Sequence, residues 1–144
     1  MKILKLKYQI IIFFIGIMMT PLVNAQNFEK HQWKNRIVLI ISSDSKSNIY
    51  ASQCEEFTKG LDEFSKRKVI IYKILPNKYK RDEESWTQNT SLYKAYNANS
   101  SDFKIVLIGL DGRIKLSQNK LLSRDHLFNT IDAMPMRKNE LKNK

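Results

Sequence analysis

The stretch Phe103-Lys104-Ile105-Val106-Leu107-Ile108-Gly109-Leu110-Asp111-Gly112-Arg113-Ile114-Lys115-Leu116 reads as two antiparallel strands joined by a short connection. Ile105 to Ile108 are β-branched or leucine residues, which suit a pleated, buried surface. Asp111-Gly112 follows, and glycine supplies the positive φ that a tight connection needs. In the second run the alternation predicts Ile114 and Leu116 towards the core and Lys115 towards water.

Working back from this hairpin, Arg36-Ile37-Val38-Leu39-Ile40-Ile41 has five apolar residues in a row, the pattern of a central strand covered on both faces. Ser42-Ser43-Asp44-Ser45-Lys46-Ser47-Asn48 is a polar turn whose side-chain oxygens can cap a helix. The helix is expected from Ile49 to Ser65, with Tyr50, Cys54, Phe57, Leu61 and Phe64 on one face at spacings of four and three. Lys66-Arg67-Lys68 sits at its carboxyl end, where positive charge is favoured by the helix dipole. Val69 to Leu75 is a second strand, closed by Pro76. Strand, helix and strand over this length form a right-handed unit with parallel strands.

Residues 77–101 are the least regular part, with a short helix at Ser91 to Tyr96 that brings the chain to the hairpin. Beyond the hairpin, Ser123 is placed to cap a helix carrying Leu127, Phe128, Ile131 and Met134, with Pro135 as its stop. A basic, frayed tail is expected from Arg137. The order is β-α-β-α-β-β-α, an α/β class domain around a central four-stranded mixed sheet.

The chain has 144 residues and a net charge of +11. Its first 25 residues have the layout of a secretory signal: Lys2, Lys5 and Lys7, an apolar run from Ile10 to Val23, then Val23-Asn24-Ala25. The run is shorter than the roughly 20 residues that span a bilayer, and small residues precede Gln26, so removal after Ala25 is expected. Three domains of sequence follow from this reading: signal 1–25, folded domain 26–137, and basic tail 138–144. The signal carries three lysines and no acid, so the exported chain keeps a net charge of +8, the whole chain's +11 less those three lysines. An exported basic surface favours an anionic envelope component or another exported protein as partner, and excludes nucleic acid. No transmembrane segment remains after the signal is removed. Cys54 is the only cysteine, so no intramolecular disulfide forms.

Two stretches carry a closer resemblance: Trp33-Lys34-Asn35-Arg36 entering the first strand, and Leu107-Ile108-Gly109-Leu110-Asp111-Gly112 through Lys115 to Ile131-Asp132-Ala133-Met134-Pro135-Met136-Arg137. The chain resembles the small exported thioredoxin-like domain of unknown function found alone in bacteria and within sushi-repeat and related matrix proteins of animals. The resemblance implies a thioredoxin-like or peroxiredoxin-like fold without a settled activity, and an antioxidant or matrix-related role for some members.

Thioredoxin chemistry sits where the first strand meets the helix, because a thiol at a helix amino terminus has its thiolate stabilised. Here that place reads Ser42-Ser43-Asp44-Ser45-Lys46, with no Cys-x-x-Cys, and the loop before the third strand, Ser100-Ser101-Asp102, has no proline. Ser43, Asp44, Ser45 and Lys46 are therefore candidates for ligand binding through the turn's N–H groups, not for disulfide exchange. Cys54 is the one candidate catalytic residue. It falls about 9 Å into the helix at 1.5 Å per residue, on the apolar stripe, where burial raises a thiol pKa. His31 and His126 have no partner at metal-ligand spacing, and neither a metal nor a cofactor is expected. Met134 and Met136 are candidate oxidant scavengers if exposed. The functional reading is a non-redox binding or structural module of the cell envelope. The alternative is a one-cysteine peroxidase or thiol-dependent antioxidant using Cys54.

Overall fold

Arg36–Ser42 forms β1, and all seven of its residues are buried. The computed structural model describes residues 28–143; the expected signal and its cleavage site lie outside them. In chain order the elements are β1, α1 (Asn48–Thr58), α2 (Leu61–Lys66), β2 (Val69–Leu75), β3 (Lys78–Arg81), β4 (Thr87–Gln88), α3 (Ser91–Tyr96), β5 (Phe103–Ile108), β6 (Ile114–Gln118), α4 (Arg124–Asp132) and α5 (Pro135–Lys142). One mixed sheet has the order β4-β3-β2-β1-β5-β6. β1 lies at its centre because it is apolar on both faces, pairing parallel with β2 (Val38 opposite Ile71) and antiparallel with β5 (Val38 opposite Leu107).

Alternation along the strands makes two cores. On one face Val38, Ile40, Ile71, Ile105 and Leu107 pack with Phe57, Phe64, Leu127 and Ile131 from α1, α2 and α4. On the other, Ile37, Leu39, Ile41, Tyr72, Ile74 and Val106 lie under Phe28 and under Leu92 of α3. The segment before β1 thus covers a sheet face.

Several expectations are corrected. The sheet has six strands, not four, because the polar stretch after Pro76 pairs as β3 on β2 and β4 on β3. Their side chains are half-buried or exposed, so no apolar run marks them. The helix expected over residues 49–65 is broken at Gly60, whose φ of 117° is open to glycine and strained for other residues. Leu61 leaves the stripe and is 55% exposed, while the buried turn is completed by Gln53. In the hairpin, Leu116 pairs with Leu107 but Ile114 pairs with Ile108, with a register shift between them. One extra residue in β6 therefore puts Ile114 and Leu116 on opposite faces, and Ile114 is 57% exposed. Pro135, expected as a stop, is the first residue of α5, where a missing N–H costs nothing. The frayed end expected there is helical as far as Lys142, and Arg137 is buried.

Candidate functional site

The β1–α1 connection is hydrogen-bonded within itself and to the loop before β5. The Ser42 hydroxyl donates to the Asp44 carbonyl at 2.8 Å, and the Ser43 N–H donates to the Asp102 carbonyl at 2.9 Å. The Lys46 N–H donates to Asp44 Oδ1 at 2.8 Å, and Ser47 Oγ accepts from the Tyr50 N–H as the helix cap. Ser43, Asp44, Ser45 and Lys46 are all exposed. Two N–H groups that an anion would need are already taken, one by the Asp44 carboxylate and one by the Ser47 hydroxyl. The structure brings these four residues together as a surface turn and places Asp102 beside Ser43.

Cys54 lies in the second turn of α1, half-buried and outside the reach of the helix amino terminus. Burial pushes its thiol pKa up; Lys73, a hydrogen bond from Tyr50 and Lys80 pull the other way without overcoming it. The Tyr50 hydroxyl is itself pushed up, by burial and then by the neighbouring thiol. The thiol therefore stays protonated near neutral pH, unlike a thiolate at a helix start.

Cys54 lines an apolar groove of about 440 Å³ between α1–α2 and β2. Phe57, Phe64, Val69 and Ile71 form its apolar lining with the exposed Leu61. Lys73 stands on the rim, its ammonium 3.2 Å from Glu83, and Lys80 meets the same carboxylate at 3.4 Å. Lys78 and Lys80 lie over the Trp86 ring at 4.9 and 5.6 Å. The sequence pattern does not reveal this groove because it places Leu61 on the core stripe. Two signals were present: a glycine just before Leu61, and Lys73 as the one charge inside an apolar strand.

The histidines stand apart. His31 is buried, with a ring nitrogen 2.8 Å from the Tyr72 hydroxyl, and burial with the nearby Lys30 holds its pKa below the usual value. His126 is exposed on α4, which packs on the opposite sheet face. Among the described residues no three His, Cys, Asp or Glu side chains gather as metal ligands, and no helix is long and apolar enough to cross a membrane.

At the amino end of β1 sits a charged cluster that sequence reasoning did not find. Arg36 is 1% exposed and donates to the Arg67 carbonyl at 2.9 Å and to Glu140 at 3.2 Å. Arg67 and Arg137 share Asp132 at 2.6 and 3.2 Å, and Arg137 also reaches Glu140 at 3.1 Å and the Lys66 carbonyl at 2.9 Å. Burial opposes the charged forms of Asp132 and Glu140, but the guanidinium groups outweigh it and hold both carboxyls below their usual range.

Residues 27–140 match the family model of a domain of unknown function, DUF4174. The chain belongs to this family. No curated protein matches it. Among solved structures it is similar to the reduced 2-Cys peroxiredoxin of Plasmodium vivax, at 15% identity and a TM-score of 0.56, over 76% of this chain and 70% of that one. The mitochondrial 2-Cys peroxiredoxin of Plasmodium falciparum aligns at 10% identity and a TM-score of 0.56, over 80% and 83% of the two chains. Thioredoxin peroxidase I of Plasmodium yoelii aligns at 14% identity and a TM-score of 0.55, over 80% of each. These likenesses establish the thioredoxin-like mixed α/β fold of this family member.

Proposed function

We propose that this chain is an exported thioredoxin-like binding module of the cell envelope, working through the groove beside Cys54 and not through disulfide exchange. The reading rests on the state of its one thiol: Cys54 is kept protonated by burial in an apolar groove, in a chain with no second cysteine to resolve an oxidised one. A groove of that lining suits an apolar segment of another exported protein, and the basic surface suits an anionic envelope component.

The rate at which Cys54 reacts with a thiol reagent, measured from pH 5 to 9 in the folded and unfolded protein, tests this directly. The expected result is slow labelling of the folded protein with an apparent pKa above about 8.5, and no consumption of hydrogen peroxide with dithiothreitol as reductant. Fast labelling with a lower apparent pKa, together with peroxide turnover lost in Cys54→Ser, overturns it. That outcome would select a one-cysteine thiol peroxidase, the reading favoured by Lys73 and Lys80 beside the thiol.

A further inference from the structure

The stretch Met134-Pro135-Met136-Arg137 takes no part in the Cys54 groove. Its two methionines line a separate cleft of about 270 Å³, together with Arg36, Leu110, Asp111 and Lys115. The other three methionines of the chain, Met1, Met18 and Met19, all precede the described residues. Met136 is 38% exposed, while Met134 is half-buried and packs against the larger core. We infer that Met134 and Met136 form an oxidation site for hydroperoxides, and that their oxidation loosens α5.

The chemistry needs no ionisation. A thioether attacks one peroxide oxygen through its sulfur lone pair; the O–O bond breaks and an S–O bond forms. The proton of the transferred hydroxyl passes to the departing hydroxide, giving a sulfoxide and water, with sulfur oxidised by two electrons and peroxide reduced by two. Exposure governs the rate, so Met136 reacts first. The Cys54 thiol, in contrast, needs deprotonation that its surroundings disfavour.

The consequence follows from how α5 is held. Its one buried residue is Arg137, and Leu141 and Met136 are exposed, so apolar anchoring at this end of the helix comes from Met134 at its cap, with Met136 lining the cleft beside it. A sulfoxide converts a flexible apolar side chain into a polar one and weakens that anchoring.

The test treats the purified protein with hydrogen peroxide and maps sulfur oxidation by mass spectrometry. The tryptic peptide Asp125–Arg137 holds both methionines, and fragmentation separates them. The expected result is sulfoxide on Met136 first and Met134 second, both ahead of Cys54. Amides of α5 should then exchange at least tenfold faster, and the melting temperature should fall by roughly 5 °C. The double variant Met134→Leu/Met136→Leu should fold and keep its melting temperature and α5 protection after the same treatment. The inference is overturned if Met136 stays reduced at doses that oxidise free methionine, if Cys54 is oxidised first, or if both sulfoxides form with α5 unchanged.

Discussion

At its carboxyl end β1 runs into a turn of exposed serine, aspartate and lysine side chains that bond mainly to their own backbone, whereas at its amino end Arg36 lies buried among two further arginines and two carboxylates. The first end is where the resemblance to thioredoxins places chemistry, and here it has the anatomy of an ordinary helix cap. The second end ties β1, the turn after α2, α4 and α5 into one unit. Buried charge is concentrated at the end of the strand opposite the helix start. The two ends should therefore respond very differently to substitution.

The largest effect is expected from Arg36→Ala. It leaves Glu140 short of a partner in a partly buried site and the Arg67 carbonyl without its donor. Breaking a buried ion pair from one side costs about 3–5 kcal/mol. Urea unfolding should show a correspondingly lower midpoint at unchanged slope; a loss below about 1 kcal/mol would mean that the cluster is effectively solvated.

The same cluster makes stability depend on pH. The carboxyls of Asp132 and Glu140 titrate lower in the folded protein than in the unfolded chain. Their contribution is present above the unfolded values near 4 and is lost as pH falls through the folded ones. His31 acts higher: its folded pKa is lowered, so the unfolded state binds the extra proton and stability declines as pH falls below about 6.5. Thermal melts from pH 7 to pH 3 should show both declines, and His31→Asn should remove the upper one only.

How much of this was readable depends on where each residue's partners come from. β1, β2 and β5 were legible because continuous apolar runs have one structural outcome in a sheet covered on both faces. β3 and β4 were not, since edge strands rich in lysine look like surface loop until their partner strand is known. Pro135 follows a helical pattern, where proline ends a helix, yet it is equally fit to begin the next one, as it does in α5. Arg36 gives no local sign of burial, because its carboxylate, Glu140, lies at the far end of the chain on α5 and only tertiary structure pairs them; Arg137 has its carboxylates nearby in sequence, at Asp132 and Glu140, but a stop at Pro135 hides the helix that gathers them. At the candidate site, the absence of a redox pair was fully legible, but the groove was not, because the break at Gly60 that exposes Leu61 changes which residues share a face.

An intermediate effect is expected at Gln53, the polar residue hidden in the helix stripe. It is fully buried and exchanges two hydrogen bonds with the backbone of Leu122, donating to the carbonyl at 2.9 Å and accepting from the N–H at 2.8 Å. Gln53→Leu keeps the volume but leaves both backbone groups unpaired, at about 1–3 kcal/mol. Hydrogen exchange at the Leu122 amide reports this directly: it should accelerate in the variant well before global unfolding does.

The smallest effects belong to the turn after β1, and they sharpen the contrast between its ends. Ser47→Ala removes the hydroxyl that accepts from the Tyr50 N–H and should cost about 1 kcal/mol, the usual worth of a helix cap. Lys46→Ala deletes an exposed side chain whose backbone N–H, not its ammonium, is what Asp44 holds, so its stability should stay within about 0.5 kcal/mol of the parent. Circular dichroism melts of the two variants separate these values. If Lys46→Ala were as costly as Ser47→Ala, the ammonium would have a partner beyond capping, and the turn would regain its standing as a binding surface. If both are as small as expected, the turn serves to start α1, and the search for a ligand belongs in the groove that α1 and α2 open beside Cys54.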